Sequence, residues 1–132
     1  MNWITSRLAI GTLDDGRNLA VADQFNEILN ISQYDYFSPT VPMMHLPMQD
    51  ETWLGPWVWQ ERLKAIEVGL RNRQKLLVHC RLGKSRSPAL VTAWLTRSGM
   101  GLEEARKIVY TNHPLSDIHP ETWRSLCDWW ER

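Results

Sequence analysis

The chain has 132 residues, which suffice for one domain with a buried core but not for a second fold. Fifteen basic and fifteen acidic residues give a formal net charge of zero, so overall charge provides no attraction to nucleic acid. Two cysteines are too few for a disulfide framework, and no stretch is apolar and long enough to span a bilayer or to act as a signal peptide. We therefore expect a single cytoplasmic domain spanning residues 1–132.

The first third of the chain predicts short strands, turns and one short helix. Apolar stretches bounded by turn residues indicate strands at residues 3–4, 8–10, 27–31 and 43–47. Asp14-Asp15-Gly16 is typical of a solvated turn. Residues 18–26 carry enough apolar side chains for a short helix. Two prolines and three aromatic residues favour a loop over residues 32–42.

The remainder predicts four helices and one more strand. After a loop at residues 49–59, apolar residues recur at helical spacing on one face, namely Trp59, Leu63, Ile66 and Leu70. Residues 88–98 are apolar nearly all round, which predicts a helix in the middle of the domain that ends at Gly99. The next helix is marked by Leu102, Ala105, Ile108 and Val109. The last helix starts near Pro120 and is predicted to bury Trp123, Leu126, Cys127 and Trp130. Helices that alternate with strands in this way indicate an α/β domain.

Residues 76–88 form the segment around which the other elements are arranged. Residues 76–78 are a short apolar run that predicts a buried strand. A helix can begin at the other end, with Ser87 as its N-cap and Pro88 at its first position. A short loop from a strand end into a helix N-terminus turns its backbone N–H groups inward as an anion-binding nest. This loop leaves the carboxyl end of the strand, where open α/β sheets usually bind ligands.

A cysteine and an arginine lie at the two ends of this loop. The nest and the helix dipole around Cys80 favour the thiolate, which is the nucleophilic form of cysteine. The planar guanidinium of Arg86 can bind two oxygens of one tetrahedral anion. The loop therefore predicts a nucleophile placed beneath a bound phosphate. A thiolate nucleophile requires a reducing compartment, which agrees with a cytoplasmic location.

The pattern His79-Cys80-x-x-Gly83-x-x-Arg86-Ser87 resembles the phosphate loop of cysteine-based protein tyrosine phosphatases, and the short chain resembles their dual-specificity branch. The resemblance implies a mixed sheet of about five strands flanked by helices. It implies hydrolysis of phosphotyrosine, with phosphoserine or phosphothreonine as further substrates, through a phospho-cysteine intermediate. It also implies an aspartate acid on a separate loop, no metal and no other cofactor. The expected partner is a phosphorylated protein or another phosphomonoester, and no oligomeric state follows from the pattern.

The resemblance also assigns roles to individual residues. Cys80 is the expected nucleophile, and the expected phosphate-binding residues are Arg81, Leu82, Gly83, Lys84, Ser85 and Arg86. Gly83 permits a turn conformation that other residues resist. Ser87 is expected either to donate a hydrogen bond to the Cys80 sulfur or only to cap the helix. His79 is expected to brace the loop, because strand alternation directs its ring away from the side of Cys80.

Asp50 is the expected general acid, because it lies in the loop after residues 43–47, which matches the acid loop of the family. Its carboxyl group would protonate the departing oxygen and later activate water. Glu51 is an adjacent competitor for this role. The other histidines, His45, His113 and His119, show no metal-ligand spacing and are expected to be structural or exposed.

Three other functions compete with a protein phosphatase. Arg81 and Lys84 inside the loop suit a phosphoinositide or another polyanionic substrate, because they could meet additional phosphates. A phosphate-binding module without turnover is a second alternative, which the presence of Cys80, Arg86 and Asp50 disfavours. A rhodanese-like sulfurtransferase with a comparable loop is the third, and the His-Cys start of the loop and the serine after Arg86 disfavour it.

Overall fold

The computed structural model describes residues 1–132 and contains one five-stranded sheet. Its strands are β1 (Asn2–Trp3), β2 (Leu8–Gly11), β3 (Glu27–Asn30), β4 (Met43–His45) and β5 (Leu76–His79). Their spatial order is β1-β2-β5-β3-β4, with β1 antiparallel to β2 and all other pairs parallel. The predicted α/β fold with a mixed sheet of five strands is confirmed.

Six α-helices accompany the sheet. They are α1 (Leu13–Arg17), α2 (Leu19–Ala22), α3 (Pro56–Gly69), α4 (Arg86–Leu95), α5 (Leu102–Asn112) and α6 (Pro120–Trp130). Short 3-10 turns at Arg71–Arg73 and Thr96–Ser98 follow α3 and α4. None of the helices combines the length and the apolar composition that a membrane crossing requires.

The central strand β5 separates two apolar clusters, because its side chains alternate between the faces of the sheet. Leu77 packs into a small cluster with Ala22 and Phe25, on the face that α2 covers. Val78 packs into the large cluster, to which α3, α4, α5 and α6 all contribute buried residues. All four residues of β5 are fully buried, so the end of this strand is a rigid base for the loop that follows.

Helix α4 lies in the middle of the domain, as its apolar sequence predicts. All of its residues except Trp94 are buried. Gly99 ends the following 3-10 turn with a left-handed backbone, at φ 96°, which glycine adopts without strain.

Four local predictions are wrong or shifted. The turn expected at Asp14-Asp15-Gly16 is helix α1, which Thr12 and Asp15 start with a reciprocal capping box. Helix α4 begins at Arg86, so Ser85 and not Ser87 occupies the N-cap position. The loop after β4 ends at Gly55, because Pro56 starts α3 at a position that requires no N–H donor. Trp130, which was expected in the core, is 44% exposed at the end of α6.

Candidate active site

A pocket of about 370 Å³ opens at the carboxyl end of β5, where the loop into α4 begins. It brings together most of the residues that the sequence predicts for the site. The predicted residues that line it are Asp50, Glu51, Cys80, Arg81, Leu82, Lys84, Ser85 and Arg86. The two segments that supply them are about thirty residues apart in the chain, so the tertiary structure creates this site.

Four carbonyl groups of the loop between Cys80 and Arg86 are held by donors from the structure around the loop. The carbonyl of Cys80 accepts from His79 Nδ1 at 2.9 Å, that of Arg81 from Leu13 N at 2.9 Å, that of Gly83 from His113 Nε2 at 2.6 Å and that of Lys84 from Asp117 N at 2.6 Å.

The backbone N–H groups of the same loop have no partner within the protein. None of the five residues from Arg81 to Ser85 donates a backbone hydrogen bond to another residue. Because the peptide unit is planar, an outward carbonyl directs the N–H of the next residue to the opposite side. The loop therefore presents a set of convergent N–H donors, in front of the N-terminus of α4, which is an arrangement that binds anions.

Gly83 allows this loop conformation. Its φ angle is +69°, and a Cβ atom at this position would lie 2.9 Å from the carbonyl oxygen of Gly11. Any other residue would be strained by both the backbone angle and this contact. Gly83 itself does not line the pocket, so its contribution is to the shape of the loop.

Cys80 and Arg86 lie at the floor of the pocket and are almost fully buried, at 2% and 5% exposure. Arg86 is the first residue of α4, and its Nη1 donates to the carbonyl of Met48 at 3.1 Å. Its Nε lies 3.6 Å from Asp50 Oδ1 and makes no hydrogen bond. Arg86 therefore connects the phosphate loop to the loop that carries Asp50 and keeps a donor free within the site.

The loop that carries Asp50 is fixed at both ends. At its start, the carbonyl of Pro47 accepts from Arg62 Nη2 at 2.6 Å. At its end, Ser125 Oγ of α6 accepts from Leu54 N at 2.9 Å and donates to the carbonyl of Leu54 at 2.8 Å. Asp50 lies between these anchors with an exposed side chain, so its carboxyl group can meet both a substrate and water.

His79 lies on the opposite face of the sheet from Cys80 and braces the loop from behind. Its Nδ1 contacts the Cys80 carbonyl, which can only accept, so Nδ1 carries the proton. Its Nε2 then accepts from the hydroxyl of Tyr36 at 2.8 Å. Burial lowers the pKa of His79, although the hydrogen bond to Cys80 raises it in part. Burial raises the pKa of Tyr36 to about 12, although the positive charge of Arg17 lowers it in part. Both residues thus remain neutral in the arrangement that these hydrogen bonds require.

The hydroxyl of Ser87 is buried and has no hydrogen-bond partner. Because Ser87 lies inside the first turn of α4, its side chain does not cap the helix. Only the other expected role, donation to the Cys80 sulfur, stays a prediction. Ser87 and His79 do not line the pocket.

Sequence reasoning missed several residues of the site. Asp117, His119 and Pro120 line the pocket, although they lie more than thirty residues after the phosphate loop. His113 holds the loop directly from outside, and Tyr36 supports it through His79. His45, by contrast, does not line the pocket, and its Nε2 donates to the carbonyl of Ser32 at 2.9 Å as a structural residue. No local pattern marks these residues, because their partners come from distant segments.

Comparisons with known proteins place this geometry in a family. The family model of the dual specificity phosphatase catalytic domain matches residues 17–132. The chain belongs to the dual specificity phosphatase catalytic domain family, as the resemblance of its phosphate loop predicts.

Two curated relatives and one solved structure show the extent of the similarity. Protein-tyrosine-phosphatase IBR5 of Arabidopsis thaliana is 38% identical over 69 residues, which are 52% of this chain and 27% of that protein. Human dual specificity phosphatase 28 is 36% identical over 63 residues, which are 47% of this chain and 36% of that protein. These matches span only about a quarter to a third of the two relatives. The crystal structure of Tk-PTP in the active form has a TM-score of 0.84 and 30% identity, covering 98% of this chain and 95% of that one.

Proposed function

We propose that residues 1–132 form one catalytic domain of a cysteine-dependent protein phosphatase that hydrolyses phosphate monoesters. The observation that carries this proposal is the convergence of Cys80, Arg86 and Asp50 in one pocket lined by unpaired backbone N–H groups. The expected substrates are proteins that carry phosphotyrosine, with phosphoserine and phosphothreonine as further substrates. The nucleophile is a free cysteine, which supports a reducing, cytoplasmic location.

In the first step, the Cys80 thiolate attacks phosphorus and forms a sulfur–phosphorus bond, while the bond from phosphorus to the ester oxygen breaks. Asp50 transfers its proton to the departing oxygen, which leaves as a neutral alcohol or phenol. The inward N–H groups and the Arg86 guanidinium stabilise the charge on the equatorial phosphate oxygens. The products of this step are a phospho-cysteine and the Asp50 carboxylate.

In the second step, the Asp50 carboxylate takes a proton from a water molecule that attacks the phospho-cysteine. The sulfur–phosphorus bond breaks, so phosphate is released and the Cys80 thiolate is restored. The unpaired hydroxyl of Ser87 would donate to the sulfur and make it a better leaving group. No metal or other cofactor takes part in this sequence, since every proton and electron pair is supplied by the chain, the substrate or water.

Turnover of p-nitrophenyl phosphate in the presence of a chelator tests this proposal. We expect hydrolysis that vanadate blocks, and we expect the Cys80→Ser variant to bind phosphate without turnover. A wild-type chain that binds phosphate but never releases p-nitrophenol would instead be a binding module. Release of sulfite from thiosulfate and cyanide would indicate the rhodanese alternative, which membership of the phosphatase family disfavours.

A second candidate function has one specific observation in its favour. Arg81 and Lys84 both line the pocket and add two positive charges beside the phosphate site. A phosphoinositide or another polyanionic ester would place additional phosphates near these side chains. Comparing kcat/KM across a panel of phosphopeptides and phosphoinositides separates the two substrate classes.

A further inference from the structure

His113 connects the N-terminal strand to the phosphate loop. It follows α5 directly, and the residue is only 2% exposed. Its Nε2 donates to the carbonyl of Gly83 at 2.6 Å, and its Nδ1 lies 2.6 Å from Oδ1 of Asn2 in β1. The three residues come from distant parts of the chain and meet beneath the pocket.

The hydrogen bond to Gly83 acts on a peptide group that lines the anion site. The Gly83 carbonyl points outward to His113, so the N–H of Lys84, on the other side of the same planar peptide, points inward. This N–H donates to no other residue of the protein. It is therefore one of the donors available to a bound phosphate.

Gly83 does not by itself hold this peptide in place. Glycine adopts positive and negative φ angles with similar ease, so rotation of the Gly83–Lys84 peptide meets little intrinsic resistance. The partner of the Gly83 carbonyl therefore determines the orientation of the Lys84 N–H. The neighbouring carbonyls of Arg81 and Lys84 are bound by backbone N–H groups, whereas that of Gly83 is bound by a side chain.

From these contacts we propose that His113 is a positioning residue that holds the Lys84 N–H toward the bound phosphate, and that Asn2 holds the His113 ring in turn. The proposal rests on the proposed function in one respect only, namely that the ligand of this loop is phosphate. His113 does not line the pocket, so it acts through the loop and not on the substrate.

The protonation of the ring is compatible with this role. The Gly83 carbonyl can only accept, so Nε2 carries a proton. Burial lowers the pKa of His113, opposed by the hydrogen bond to Gly83. In the neutral ring Nδ1 is an acceptor, and a half-turn of the Asn2 amide supplies the matching N–H.

The test measures binding of inorganic phosphate to the full chain by calorimetry, together with kcat and KM for p-nitrophenyl phosphate. His113→Phe fills the same space without a donor, so the dissociation constant of phosphate should rise about ten- to a hundredfold, the cost of one hydrogen bond to a charged group. His113→Gln restores an N–H donor and should recover most of the affinity. Asn2→Ala leaves the ring without its second partner and should weaken binding several-fold.

Asn112→Ala is the matched control. It removes the hydrogen bond from Asn112 Nδ2 to the carbonyl of Ile108, beside His113 in the chain, but does not touch the phosphate loop or the segment at residues 116–119. This variant should lose a little thermal stability without a change in phosphate affinity. If it weakens phosphate binding as much as His113→Phe does, His113 has only a general structural role and the proposal is wrong.

The remaining outcomes separate this inference from the proposed function. An active wild-type chain whose His113→Phe and Asn2→Ala variants bind phosphate normally would overturn the inference alone. If His113→Phe does not fold, the Asn2→Ala result decides the question by the same criterion. A wild-type chain without turnover, in which His113→Phe still weakens phosphate binding, would overturn the proposed function and support the inference. A wild-type chain that neither binds phosphate nor turns over would overturn both.

Discussion

Arg86 and Asp50 face each other in the pocket, with 3.6 Å between Nε and Oδ1. The contact is too long for a hydrogen bond, yet it joins the buried start of α4 to an exposed loop. Arg86 also binds the Met48 carbonyl, so one guanidinium orients the loop that carries the proposed acid and remains available to a phosphate.

Asp50→Asn should lower kcat about a hundred- to ten-thousandfold for esters with a poor leaving group, because proton transfer to the departing oxygen is lost. The loss should shrink for p-nitrophenyl phosphate, since p-nitrophenol departs readily without a proton. Steady-state kinetics over a series of phenyl phosphates measures the difference. Glu51→Gln is the control and should change little. If Glu51→Gln lowers kcat and Asp50→Asn does not, the general acid is Glu51.

The two cysteines should react differently with iodoacetate near neutral pH. Burial raises the pKa of Cys127, and Glu131, Glu103 and Asp128 raise it further, so its reactive thiolate is scarce. Cys80 lies beside the inward N–H groups and Arg86, and we expect it to be alkylated first. Mass spectrometry of the labelled chain identifies the site, and phosphate should protect Cys80. Faster labelling of Cys127 would contradict the assignment of the nucleophile.

Replacing Arg81 and Lys84 together by alanine should reduce kcat/KM more for multiply phosphorylated substrates than for p-nitrophenyl phosphate. Both side chains line the pocket, where they can meet a second anionic group, and this attraction should weaken as salt rises. The measurement is kcat/KM for both substrate types at low and high ionic strength. Replacing Lys64 and Lys107 together by alanine, on exposed positions of α3 and α5, removes the same two positive charges and is the charge-matched control. Equal losses on both substrates would mean that the two residues only shape the loop.

Ser125→Ala should destabilise the fold by roughly 3 kcal/mol, because three buried polar groups lose their partner. Ser125 Oγ binds the N–H and the carbonyl of Leu54 and accepts from Trp59 Nε1 at 2.9 Å. Denaturant unfolding measures the change in the free energy of unfolding. Ser98→Ala removes a single hydrogen bond, to the carbonyl of Leu95, and should cost less than about 1 kcal/mol. If both substitutions lower the free energy of unfolding by similar amounts, Ser125 does not anchor the loop that carries Asp50 in this way.

The free energy of unfolding should fall as the pH drops below about 6.5, the ordinary pKa of histidine. Burial holds the pKa values of His79 and His113 lower in the folded chain. As the pH falls, the unfolded chain therefore binds protons before the folded chain does. The free energy of unfolding decreases by up to about 1.4 kcal/mol per pH unit for each histidine, until the pH is below the pKa values of the folded chain. Denaturant unfolding at several pH values measures this slope, and His79→Asn should reduce it. If the slope is unchanged in that variant, His79 does not contribute to the pH dependence of the free energy of unfolding.

The sequence by itself determined the phosphate loop and the class of fold. Cys80, Gly83 and Arg86 lie within seven residues, and their joint role in binding phosphate depends only on a local turn between a strand and a helix. The apolar run at residues 76–78 and the apolar helix after Pro88 placed these elements at the centre of the domain, because burial of apolar surface drives folding. The position of Asp50 after β4 also followed from the order of elements.

Only the tertiary structure decided which distant groups hold this loop. His113 and Asp117 contact it from two separate segments, and Tyr36 supports it from a third through His79. Each of these contacts depends on how helices and loops pack against the sheet. No periodicity or spacing encodes a hydrogen bond between residues so far apart. The start of α4 was misplaced for a related reason: in the fold, Ser85 Oγ accepts from His119 N, a distant partner, and the helix begins one residue later. The chemistry of the loop is thus local in the sequence, whereas its orientation is a property of the packed domain.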